Sequence, residues 1–138
     1  MCRVKLRVWH VITRLIIGGA QENTVATVLG LRQKADITVR LISGLSEGPE
    51  GSLEDRFDRT PELLRIVPEL VRPIRPWQDV CALGELTRIF RRDRPHIVHT
   101  HSGKAGILGR LAARRAAGLR ALHLGRGRDG EREGARCG

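Results

Sequence analysis

A chain of 138 residues holds one domain, since a single core of ordinary size takes about 100–200 residues. At 41% apolar, with 3% aromatics and no tyrosine, the core must be built from Val, Ile, Leu and Ala. That favours parallel strands and packed helices over a small aromatic-cored β module. The formal net charge is +10, but every cationic residue except Lys5, Lys34 and Lys104 is Arg. A bias of that kind reflects GC-rich coding, so the charge implies attraction to anions without singling out a partner. Nucleic acid is disfavoured: Trp9, Phe57, Trp77 and Phe90 are the whole aromatic set, too few for stacking, and there is no recognition-helix signature.

The strand-like run Val4 to Ile12 opens the chain, with Val4, Leu6, Val8, Val11 and Ile12 apolar and mostly β-favouring. Lys5, Arg7, His10 and Arg14 interrupt any signal-peptide core, and no stretch reaches the ~18 apolar residues of a membrane span. A loop, Thr13 to Gly19, ends in two glycines. A helix follows from Ala20 to Lys34 with Val25, Val28 and Leu29 facing inward. Ile37 to Ile42 reads as a second strand, and Ser43 to Gly51 as a Gly/Ser/Pro-rich loop. Ser52 can cap a short helix through Arg59, which Pro61 ends. Leu63 to Val67 is a third strand, and Pro68, Pro73 and Pro76 hold the connection after it extended. A helix is predicted over Gln78–Asp93, with Val80, Leu83, Leu86 and Phe90 inward. Ile97–Thr100 is a fourth strand. Lys104–Ala117 is a helix with Ala105, Leu108, Leu111 and Ala112 inward, stopped by Gly118. Leu119–Leu124 can begin a fifth strand. Gly125–Gly138 has five glycines, alternating charges and no bulky apolar residue, the composition of a disordered tail.

The alternation predicts an α/β fold with a doubly wound, Rossmann-like parallel sheet, its domain covering residues 1–124 and a Gly/Arg-rich tail covering 125–138. Cys2, Cys81 and Cys137 are odd in number, far apart and without a CxxC pair. They read as reduced cytoplasmic thiols, not as a zinc site or disulfide framework. In a doubly wound sheet of order 3-2-1-4-5, ligands bind where the strand order switches, between strands one and four. The loops leaving those strands are the chain's two most distinctive. Gly18-Gly19 before a helix lets backbone approach a phosphate and offers first-turn amides to it; the pattern is not GxGxxG, so a dinucleotide is not implied. A tight strand-to-helix turn is the alternative reading. His99-Thr100-His101-Ser102-Gly103-Lys104 places two imidazoles on one side of a strand end, with Lys104 at a helix start where it can meet a phosphate or an acceptor hydroxyl. His99 reads equally as a hydrogen-bonded structural histidine. The pair lacks a third ligand close in sequence, so no metal is expected.

Val8-Trp9-His10-Val11-Ile12-Thr13-Arg14-Leu15 followed by Gly18-Gly19-Ala20-Gln21 resembles the opening of the retaining GT-B glycosyltransferases of family 4. Arg94-Pro95-His96-Ile97-Val98-His99-Thr100-His101, then Lys104-Ala105-Gly106, is similar to that family's fourth-strand signature. The resemblance covers residues 4–118 and implies the amino-terminal, acceptor-side half of such an enzyme. It implies transfer of a sugar from a nucleotide-diphosphate sugar to a glycan or lipid-linked acceptor, with no metal cofactor. Gly18 and Gly19 would lie near the donor diphosphate, with His99, Ser102 and Lys104 contributing to phosphate or substrate binding. His101 would lie by the reacting sugar as the catalytic residue. Family members continue into a second Rossmann domain that holds the nucleotide; here the sequence turns Gly/Arg-rich from Gly125, as a frameshifted or truncated product would, so the chain alone is expected to be inactive. The competing expectation is a stand-alone phosphate- or nucleotide-binding module without catalysis. Arg56, Arg59, Arg65, Arg72 and Arg75 with Trp77 suggest peripheral contact with an anionic membrane, at its inner face.

Overall fold

The computed structural model describes residues 4–47 and 51–118. Strands β1 (Leu6–Ile12), β2 (Ile37–Ser43), β3 (Leu64–Ile66) and β4 (Ile97–Thr100) alternate with helices α1 (Gly19–Arg32), α2 (Pro76–Asp93) and α3 (Gly103–Ala117). The four strands form one sheet in the order β3-β2-β1-β4, every pairing parallel. This is the doubly wound arrangement: the chain moves outward from β1 to β3, then crosses back through α2 to the far side of β1. The expected fifth strand and the expected disordered tail lie outside the described residues.

The sheet is covered on both faces. Strand alternation sends Ile12 to one side, where it joins Val39, Leu41, Val25 and Val28 under α1. Trp9 and Val11 point the other way, into a core with Leu86, Phe90, Ala105 and Leu108 from α2 and α3. The two central strands, β1 and β2, thus bury apolar residues on both sides, as parallel strands covered on both faces do.

The expected inward faces of α2 and α3 form, with one residue of each off the buried stripe. In α2 the buried positions are Ala82, Leu86, Thr87, Ile89 and Phe90, whereas Val80 is 62% exposed. Val80 lies about 120° around the helix from Leu86 at 100° per residue, off the stripe. In α3 the buried face is Ala105, Gly106, Leu108, Gly109 and Ala112, and Leu111 is 43% exposed. Small residues win there because the helix lies close on β4. A Cβ on Gly109 would come 2.7 Å from Thr100 Cγ2.

The segment between β2 and β3 is shorter in helix than expected. Ser52 does accept from the Glu54 amide at 3.1 Å, but only a 3₁₀ turn, Glu54–Phe57, forms before a second one, Pro61–Leu63. Phe57 is buried in the α1-side core. The backbone beside it pairs with the loop after β1, through Leu53 N–H to Leu15 O at 2.7 Å. Leu15 and Ile16 are buried, so the loop before Gly18 is anchored by packing.

At the opposite edge of the sheet, Asp93 at the end of α2 accepts from Trp9 Nε1, Arg40 Nη1 and Arg92 Nε at 3.2, 3.1 and 2.8 Å. Burial works against its charge, but these donors and the nearby guanidinium charges hold its carboxyl below the usual range.

Candidate active site

The loops leaving β1 and β4 are neighbours at the carboxyl edge of the sheet. His101 N–H donates to Val11 O at 2.9 Å, and Ser102 Oγ donates to Thr13 Oγ1 at 3.4 Å. Helices α1 and α3 both start at this edge, one on each face, so their amino-terminal dipoles converge on it. The amides at the start of α1 precede its first internal bond, Glu22 N–H to Gly18 O at 2.8 Å, and no side chain caps them.

Gly18 and Gly19 are not required by the turn. Gly18 is extended, with φ 171°, and its missing Cβ would meet only the flexible Gln21 side chain. At Gly19 a Cβ would meet nothing within 4 Å. Their smallness therefore keeps backbone amides approachable from outside.

His101, at the end of β4, is half-buried and His99 is exposed. A third imidazole completes the group. His10 of β1 is the register partner of His99 and is 1% exposed. Its Nδ1 lies 2.7 Å from His101 Nε2, while its Nε2 is buried without a hydrogen-bond partner. Ring centroids are 4.3 Å apart for His99–His101, 5.0 Å for His10–His101 and 5.3 Å for His10–His99. The buried histidine of this edge is His10, and His99 is exposed. Local sequence pattern does not mark His10, because its partners stand far away in the chain. The signal was parity: Val8, His10 and Ile12 share one strand face, and His10 stands beside the strand end that the switch point exposes.

Ser102 caps α3, accepting from Ala105 N–H at 3.4 Å, so its hydroxyl fastens the two loops to the helix start. Lys104 turns toward α2: its ammonium contacts Asp79 and the Pro73 carbonyl. In this structure it secures the β3–α2 connection rather than reaching for an anion above Gly18.

Burial, followed by the neighbouring His101 and His99 rings, lowers His10 from 6.5 to about 4. Burial and His99 also lower His101. For His10 the folded state binds its proton more weakly than the unfolded chain. Its contribution is therefore complete above pH 6.5 and is lost as pH falls toward about 4. The difference corresponds to about 3 kcal/mol. Denaturant titrations of the chain in metal-free buffer should show stability flat near neutrality and falling through that window, with a flatter profile for His10→Gln. A constant stability from pH 7 to 4.5 would contradict the burial of His10.

These features can be set beside known proteins. A family model described as "Glycosyl transferase 4-like domain" matches residues 18–137. The chain belongs to this glycosyltransferase family. Its match runs past residue 124, where the sequence reading sets the end of the domain. The chain is also 33% identical over 112 residues to an Escherichia coli UDP-Gal:alpha-D-GlcNAc-diphosphoundecaprenol alpha-1,3-galactosyltransferase. That alignment covers 81% of this chain and 27% of the relative, so the chain spans about a quarter of that protein's length. No solved structure matches. The glycosyltransferase domain thus has the four parallel strands of a Rossmann-like fold, with both loops of the family resemblance at one edge.

Proposed function

We propose that the chain is the acceptor-side, amino-terminal half of a GT-B enzyme that moves a sugar from a nucleotide-diphosphate donor to a lipid-linked glycan. The observation that carries this is the opening beside Gly19, at the helix start that faces the β1–β4 switch point together with His101. The diphosphate would approach the uncapped α1 amides, where partial positive charge stabilises the departing group. His101, half-exposed on a strand end, would orient the acceptor hydroxyl. Ser102 and Lys104 would act as positioning residues, one tying the two loops together, the other holding the β3–α2 connection. Nucleotide recognition would belong to a second domain. The purified 138-residue chain should therefore show no transfer from any nucleotide-sugar; robust turnover would overturn the division of labour.

The lipid-linked acceptor is supported by the relative's printed substrate, a diphosphoundecaprenol. It also fits an exposed prong on the β3–α2 connection: Ile74 and Trp77 are 84% and 80% exposed, flanked by exposed Arg72 and Arg75. Arg65, by contrast, pairs with Glu85 at 3.2 Å. Arg56 and Arg59 flank Phe57, which packs on the α1 side. The proposed membrane contact, at the inner face, is therefore through Arg72, Ile74, Arg75 and Trp77, which the exposure of this connection supports. No described helix is long and apolar enough to cross one. Each Arg near an anionic surface contributes about 1 kcal/mol. In vesicle flotation at physiological salt, recovery should be higher with anionic than with neutral liposomes and should fall for Trp77→Ala; equal recovery would remove the membrane contact.

A further inference from the structure

The absence of a third ligand near His99 and His101 in sequence disappears in three dimensions. His10, His99 and His101 each offer one ring nitrogen, and these atoms all lie within 4.8 Å of one another. Two of the rings sit on directly paired positions of adjacent strands, and the third is fixed to β1 through its backbone amide. The scaffold beneath the cluster is thus sheet, the rigid kind of support that metal sites need. Three ligands around one tetrahedral ion at ~2.1 Å would stand about 3.4 Å apart. Binding one ion would open the His10 Nδ1–His101 Nε2 separation from 2.7 Å to that spacing, with His99 and His101, the two less buried rings, adjusting.

We propose that His10, His99 and His101 bind one divalent transition-metal ion of the zinc type. Neutral imidazole suits Zn²⁺, Co²⁺ or Ni²⁺, and this group of ligands contains no carboxylate, so Mg²⁺ and Ca²⁺ are poor matches. His10 is buried and turns its Nδ1 to His101 Nε2 at 2.7 Å, so one ring nitrogen already points into the cluster from a fixed position. Three protein ligands leave a fourth position for water or an oxygen ligand, as in open metal sites. The inference stands on the three imidazoles and does not depend on the glycosyl-transfer reading.

The test uses the untagged 138-residue chain, stripped with a chelator and titrated with Zn²⁺ against a chromogenic competitor. One Zn²⁺ per chain is expected. Resonances of His10, His99 and His101, three of the chain's five histidines, should shift in imidazole NMR spectra. Because His10→Ala empties a buried position, the decisive variants are His99→Ala and His101→Ala, whose folded state is checked by circular dichroism. Each should weaken binding by ~100-fold or more, since loss of a mere orienting partner already costs 10–100-fold. His96→Ala and His123→Ala should bind as the parent does. No stoichiometric uptake would overturn the proposal. So would uptake that survives His99→Ala and His101→Ala but fails in His96→Ala or His123→Ala.

Discussion

Replacing Gly44 by alanine is expected to cost the domain about 3 kcal/mol or more, at the upper end of overpacking effects. Gly44 follows β2, at the meeting point of the segments leaving β1 and β3. A Cβ there would stand 1.9 Å from Leu70 O and 2.4 Å from Thr13 O. Both are backbone atoms, so no rotamer change relieves the clash. Either the loop carrying Thr13 or the turn at Leu70 must move. Leu70 is fully buried in the α2/α3-side core, which makes that movement expensive. A shift of the thermal midpoint on the order of 10 °C follows. Gly84→Ala is the control: it lies inside α2 with nothing within 4 Å of its missing Cβ. That change should raise stability by about 0.5–1 kcal/mol. Similar midpoints for the two variants would mean that Gly44 is not the packed junction described.

His101→Ala, placed in an enzyme that joins this chain to a donor-binding domain, is expected to lower kcat about tenfold or more. The thermal midpoint should scarcely move, because the side chain is only half-buried at a strand end. His99→Ala should also fold normally, since His99 is exposed. His10→Ala should lose stability, for it empties a buried position between the strands and removes the partner of His101 at 2.7 Å. Gly19→Val completes the set. With open space at that Cβ, the fold should tolerate it while donor use falls sharply. Paired kcat, KM and midpoint measurements separate the roles. Normal turnover by folded His101→Ala would remove it from the reacting centre, and unchanged kinetics in Gly19→Val would return the glycines to turn geometry.

Much of this edge is legible from local pattern. Strand composition and punctuation by Gly and Pro mark β1, β2 and β4, and the alternation with helices predicts the observed 3-2-1-4 order. Gly18-Gly19 and the segment from His99 to Lys104 stand out because their residue types suit neither a core strand nor a plain turn. What local pattern misses depends on register and phase. His10 meets His99 only through the parallel pairing of β1 with β4. Lys104 is drawn to Asp79 by helix packing that spacing does not encode. Size and apolarity alone predict Val80 and Leu111 inward. Yet α3 lies on β4 through Gly106 and Gly109, and closeness, not side-chain size, sets its angle of rotation. Ser52 accepts from the Glu54 amide, but the turn begins at Leu53, and Phe57 and the pairing of Leu53 with Leu15 hold the segment as a 3₁₀ turn.

The most direct test of the central claim is galactosyl transfer by a hybrid in which residues 4–118 replace the matching segment of the Escherichia coli galactosyltransferase. UDP-Gal and GlcNAc-diphosphoundecaprenol, the substrates in that relative's name, serve as donor and acceptor. The account predicts transfer above background that disappears in the hybrid carrying His101→Ala. A folded hybrid that binds UDP-Gal normally but transfers no galactose would contradict it.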